Sequence, residues 1–169
     1  MTDASDWRHE TPKSPTLEFV MEVRLILRTP RLHIDQLPQG GKRLSVSIER
    51  GEFDGPAGLS GTVMPGGGEW PHIREDDVFC FDARYHLQCG DGTVILLQNQ
   101  GYRHASADVH ERLWKLKPGD VVPSDAYYFR CMTRFDTAPG PHDWLARHVF
   151  VGVGERLEKG NRIRYFKVG

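Results

Sequence analysis

Val78-Phe79-Cys80-Phe81-Asp82-Ala83-Arg84-Tyr85-His86-Leu87-Gln88, followed by Gly90-Asp91-Gly92 and then by Thr93 to Gln100, reads as two strands joined by a tight reversal. Phe79, Phe81, Ala83, Tyr85 and Leu87 occupy every second position, which gathers them on one side of an extended chain and would scatter them around a helix. Gly90 and Gly92 tolerate the backbone angles that a short hairpin connection requires.

The same two-residue period recurs on both sides of this hairpin. Leu17, Phe19, Met21, Val23, Leu25 and Leu27 alternate with polar residues up to Thr29-Pro30, and Leu44, Val46 and Ile48 repeat the pattern between Gly41 and Gly51. A short strand is expected around Leu59 to Met64, and Pro65-Gly66-Gly67-Gly68 is expected to be a loop. Downstream, Ala126 to Phe135, His148 to Leu157 and Arg162 to Val168 alternate again. One helix breaks the series: Ser106 suits its cap, Asp108 and Glu111 its first turns, Val109, Leu113 and Leu116 its apolar stripe, and Pro118-Gly119 its end. About eight short strands with turn signals between them predict an all-β protein, an antiparallel barrel or sandwich, carrying one short helix. Residues 16–169 are expected to form its single domain, and residues 1–15, polar and acidic, a flexible arm ahead of it.

Composition excludes several classes of function. The chain of 169 residues is 38% hydrophobic and 27% charged, which is the composition of a packed domain. Its 22 Lys and Arg against 23 Asp and Glu supply no positive field for nucleic acid or an anionic membrane. No apolar run approaches the roughly 20 residues of a spanning helix, and the first residues do not resemble a targeting signal, so a cytoplasmic location is expected. Three cysteines, Cys80, Cys89 and Cys131, fit buried thiols better than a disulfide framework. The eight histidines form no H-E-x-x-H or H-x-H pair, so any metal site would have to be assembled from distant strands. Pro65-Gly66-Gly67-Gly68-Glu69 lacks the lysine and hydroxyl of a phosphate-binding loop, and Gly58-Leu59-Ser60-Gly61 lacks the spacing of a nucleophile elbow. Neither a metal nor an organic cofactor is expected.

Three places invite chemistry. Glu69-Trp70 follows the glycine loop directly, placing a carboxylate and a large aromatic where backbone can approach a ligand, although Trp70 can equally plug the barrel over a solvated Glu69. Asp82, Arg84 and His86 share one strand face; pointing inward they would set two charges and a titratable ring in the lumen, and pointing outward they would leave Phe79, Phe81, Ala83, Tyr85 and Leu87 as core. Hydrophobic pattern alone favours the outward arrangement. Arg130, between Tyr128 and Met132, poses the same choice, since an arginine lying flat on apolar surface with its head in water is ordinary.

Several segments taken in order resemble domain of unknown function family 3237: Gly61-Thr62-Val63-Met64-Pro65-Gly66-Gly67-Gly68-Glu69-Trp70, Asp82-Ala83-Arg84-Tyr85-His86-Leu87, Asn99-Gln100-Gly101-Tyr102-Arg103-His104, Tyr128-Phe129-Arg130, Trp144-Leu145, and Phe150-Val151-Gly152-Val153-Gly154-Glu155-Arg156. The resemblance spans about Leu17 to Val168 and implies a calycin-like or allene-oxide-cyclase-like β-barrel, often self-associating, with no established cofactor and no assigned reaction. Glu69 stands where that pattern usually has Asp, and Ala146 where it usually has Asn. Because Glu69, Arg84, Asn99, Arg103, Tyr128 and Arg130 lie inside the matching segments, the resemblance favours a polar pocket.

The expectation is therefore a cofactor-independent lyase, isomerase or cyclase acting on a carbonyl-bearing or phenolic metabolite. Glu69 would move the proton and Arg84 and Arg130 would stabilise developing negative charge, with Trp70, Asp82, His86, Asn99, Arg103, Tyr128 and Trp144 binding the ligand. A non-catalytic carrier barrel for a small hydrophobic metabolite is the alternative, and a lumen filled by its own aromatics the blander one. The expected partners are that small molecule and a second copy of the chain in a dimer.

Overall fold

The computed structural model describes residues 13–169. The expected arm lies outside the described residues as far as residue 12, and residues 13–15 are irregular and exposed. Eleven strands follow: β1 (Leu17–Leu27), β2 (Leu32–Ile34), β3 (Lys42–Asp54), β4 (Gly61–Val63), β5 (Gly68–Glu69), β6 (His72–Ile73), β7 (Phe79–Cys89), β8 (Val94–His104), β9 (Tyr128–Thr137), β10 (Phe150–Arg156) and β11 (Gly160–Val168). All pairings are antiparallel, in the order β1-β11-β10-β9-β8-β7-β4-β3. Pairing of β1 with β3 closes the sheet, and β4, β5 and β6 lie end to end between β3 and β7, giving a closed eight-strand barrel. Closure removes the sheet edges that would otherwise template aggregation.

The β7–β8 hairpin is a ladder of ten pairs, joining Phe79 to Arg103 at one end and Gln88 to Val94 at the other. Its lumen face is the apolar one: Phe79, Phe81, Ala83, Tyr85 and Leu87 are buried. Leu17 and Phe19 leave the expected inward row of β1, because the register slips between Phe19 and Met21 and sends Val20 and Met21 into the core together. β3 runs on through Gly51 to Asp54, since Gly51 is paired on both sides, with Leu25 and with Val63. Gly68 belongs to β5 rather than to the loop.

The barrel has two unlike ends. One is plugged by a 3-10 turn (Asp143–Arg147) whose Leu145 is buried and whose Trp144 packs 6.1 Å from the Phe150 ring. The other is the mouth, bordered by the connection after β1 and by α1 (Ala107–Trp114). Helix α1 ends one turn before the expected stop, where the Lys115 amide reaches the carbonyls of both Glu111 and Arg112, and Leu116 still packs on the core. Ser106 sits at the cap position, but its hydroxyl bonds the Asp108 carboxylate instead of a backbone amide. Among the described residues no helix is long and apolar enough to cross a membrane.

Candidate functional site

Alternation along the strands delivers polar side chains to the lumen wherever a polar residue stands in phase with the apolar row. On β8 the row is Ile95, Leu97, Asn99 and then Arg103; on β9 it is Phe129, Cys131, Thr133 and Phe135; Arg156 ends the inward row of β10, and Asn161 begins that of β11. Gly154 lacks a side chain because a Cβ there would lie 2.6 Å from the Phe129 ring, so the glycine makes the space that Phe129 fills. Glu69 reaches the lumen from β5, paired with Val46 and Ala83. The preceding Gly67 passes so close to Tyr85 that a Cβ would overlap it.

These residues form two tiers. The deeper tier is a satisfied belt. The Thr133 hydroxyl donates to Asn99 Oδ1 at 2.7 Å, Asn99 Nδ2 donates to the Tyr165 hydroxyl at 2.6 Å, and Tyr165 and Tyr85 share a hydroxyl bond at 3.0 Å. Burial pushes both phenols well above the ordinary tyrosine range and the Cys131 thiol up to about 11. The belt therefore stays neutral.

The upper tier, at the mouth, is charged. Glu69, Arg31, Arg103, Arg156 and Asn161 line one small void with an apolar wall that includes Phe79, Phe81 and Phe129. Its volume of about 20 Å³ holds a single water. Asn161 Nδ2 donates to Glu69 Oε1 at 3.1 Å; Arg156 donates to the Gly160 carbonyl, and its backbone amide to the Tyr127 hydroxyl at 2.8 Å. Arg103 lies 4.3 Å above the Phe79 ring, and its buried Nε has no hydrogen-bond partner among the described residues. Arg31 sits 5.6 Å over Trp114 at the edge of the mouth.

Desolvation dominates the protonation of this tier. It raises the Glu69 carboxyl above its ordinary value, opposed by the positive fields of Arg156 and Arg103 and by the Asn161 amide. It lowers Arg103 and Arg156 each to about 10, with Glu69 pulling the other way. One carboxylate thus faces three guanidiniums. Burial favours the neutral form of this carboxyl, which suits it to proton transfer, and unpaired guanidinium N–H groups can receive an oxyanion.

Of the expected site residues, Glu69, Asn99 and Arg103 face the lumen, Glu69 and Arg103 in the upper tier and Asn99 in the belt. The rest lie elsewhere. Arg84 and His86 are on the exposed face of β7, and half-buried Asp82 pairs with Arg84 at 3.7 Å outside the barrel. Arg130 lies outside over the Tyr128 ring at 5.5 Å, and Tyr128 is exposed and stacked on His104. Trp70, next to Glu69 on the strand path, points outward and is exposed, while Trp144 packs at the plugged end. The expectation that Arg84 and Arg130 project into the lumen is thus overturned: each sits one residue out of phase with the buried inward row of its strand. Arg31, Arg156, Asn161, Thr133, Tyr85 and Tyr165 were missed, although all but Arg31 carry the same signal, a polar group in phase with buried apolar neighbours. At the plugged end, Cys89, Asp91 and His142 bring potential ligand atoms within 4.8 Å of one another, with His142 Nε2 3.4 Å from Asp91.

Fold and site together define a closed antiparallel barrel with a neutral polar belt at its waist and an arginine-rich mouth. The chain belongs to the family described as protein of unknown function (DUF3237), which matches residues 15–168. A relative, UPF0311 protein CA_C3321 of Clostridium acetobutylicum, is 30% identical over 156 residues, covering 92% of this chain and 96% of that one. The crystal structure of a beta-barrel like protein (ABAYE2633) from Acinetobacter baumannii AYE is similar at a TM-score of 0.79 and 30% identity, over 94% of this chain and 99% of the other. An enzyme from Penicillium herquei shares the fold at a TM-score of 0.71 and 22% identity, over 95% and 98%.

Proposed function

We propose that this chain is a cofactor-independent enzyme of small-molecule metabolism, a lyase, isomerase or cyclase acting on a carbonyl-bearing or phenolic metabolite at the mouth of the barrel. Glu69 moves the proton. Arg103 and Arg156 take the part expected of Arg84 and Arg130, stabilising negative charge as it develops on the reacting oxygen. The observation that carries this reading is the meeting of Glu69, shifted toward its neutral form, with an unpartnered buried guanidinium, Arg103, on one void. A proton-transfer group works best with its pKa near the working pH, and donors fixed in a dry site stabilise an enolate or phenolate more than water does.

Phenylpyruvate in D2O is a suitable probe, because exchange at its benzylic carbon proceeds through an enolate. Wild-type protein is expected to accelerate deuterium uptake, and Glu69→Gln to lower that acceleration about a hundredfold, in line with general acid–base catalysis. Exchange at the buffer rate with phenylpyruvate bound would leave the second reading, a barrel that only binds. What favours binding alone is the size of the void: a lumen filled by its own side chains leaves little room for a reacting substrate.

A further inference from the structure

We infer that the molecule bound at the mouth is itself a small flat organic anion, an aromatic or conjugated carboxylate held by Arg103 and admitted by displacement of Arg31; this rests on the mouth being the working site. Three observations converge on that class. The first is charge: Arg31, Arg103 and Arg156 surround a single carboxylate, and Glu69 is already engaged by Asn161. A buried cation without a counter-ion is costly, and a ligand bearing one negative charge removes most of that cost.

The second is the orphan donor. Arg103 is 9% exposed, forms no side-chain hydrogen bond or ion pair among the described residues, and has its Nε wholly buried without a partner. Buried polar groups are nearly always satisfied, so a donor left open on a void marks what the void receives. A guanidinium presents its N–H groups as a planar fork, which matches the two oxygens of a carboxylate.

Wall chemistry is the third. Phe79 lies under Arg103, and Phe81 and Phe129 meet edge to face with centroids 5.2 Å apart. Leu27 and Val46 complete the apolar side. Such walls accept a ring or a conjugated body and gain little from a compact inorganic ion.

The void is too small for this ligand as it stands, so a side chain must yield. Arg31 lies on the connection between β1 and β2, is half-exposed, and among the described residues is held by stacking on Trp114 with no hydrogen bond. A contact of that kind is weak compared with the packed belt below, and swinging Arg31 outward opens the mouth without disturbing any strand.

Titration of the full chain with benzoate, benzamide and acetate at neutral pH tests the inference, read by calorimetry and by the Arg103 Nε–H resonance of 15N-labelled protein. Benzoate is expected to bind at least tenfold more tightly than neutral benzamide or ringless acetate and to move the Arg103 resonance. Arg103→Gln should cost benzoate at least tenfold, and Arg103→Lys should fall between the two. Benzamide binding within twofold of benzoate, acetate matching benzoate, no benzoate binding, or an unmoved Arg103 resonance would overturn it. The outcomes separate the two proposals. Exchange of the neutral ketone phenylacetone at its benzylic carbon that survives loss of benzoate preference leaves the enzyme standing and removes the anion, whereas tight benzoate binding without exchange of either ketone does the reverse.

Discussion

Arg103 is expected to weaken the fold that contains it. A buried guanidinium with no carboxylate on its fork has given up hydration for little in return, and replacing it by an apolar side chain of similar volume removes that desolvation cost. Arg103→Met is therefore expected to raise the urea midpoint while abolishing benzoate binding; a lower midpoint would mean that Arg103 is held by contacts that favour its charge. Glu69 gives a second, pH-dependent test. Its carboxyl is raised above 4.5 by burial, so the folded state holds that proton more tightly than the unfolded chain does. The resulting stability is fully present below pH ~4.5 and is lost as pH rises through the folded value. Glu69→Gln should flatten the fall in unfolding free energy between pH ~4.5 and neutrality, which a denaturation series over that range would reveal. Glu69 and Arg103 were legible in the sequence as polar groups in distinctive segments. Arg31 was not, because it lies on an irregular connection where no period assigns a direction.

At the scale of elements, the contrast between β7 and its neighbours explains both the successes and the errors of a pattern-based reading. The apolar row of β7 is unbroken, so Asp82, Arg84 and His86 had only the outside left to them. On β8 the apolar row is interrupted by Asn99 and Arg103, and those interruptions are the site. Arg84→Ala, at a position whose side chain is 58% exposed and whose ion pair is long, should change stability by no more than about 0.5 kcal/mol and leave ligand binding intact. Gly154→Ala, which adds a methyl group where Phe129 already sits, should cost about 1–3 kcal/mol by overpacking and weaken the wall beside Arg103. Thermal denaturation of the two variants side by side checks the pair; equal effects would contradict the placement of these strands' faces.

The whole molecule is held together at the seam where β1 meets β3 and β11. On its outer surface Glu22, whose side chain is only 14% exposed, accepts from Arg24 at 2.7 Å and from Arg164 at 2.8 Å, and Arg24 reaches on to Glu52 at 3.0 Å and to Asp54. Glu22→Gln leaves those arginines facing one another, and its cost, about 1 kcal/mol at low ionic strength, should shrink as salt screens them. Denaturation at low and high salt measures this, and a salt-independent cost would point to packing instead.

The chain's alternating pattern by itself determined that it folds as an all-β barrel or sandwich, and the ordered motifs pointed to its family and through it to the barrel, because strand period and turn chemistry are local properties readable over ten residues. Which side of the strand became the lumen at Glu69 and Arg130, and which arginines gathered there, was decided by tertiary structure alone. Closure brings β5, β8, β10 and β11 to one mouth from positions nearly a hundred residues apart, and only that convergence, with desolvation acting on every charge at once, turns Glu69, Arg103 and Arg156 into a site.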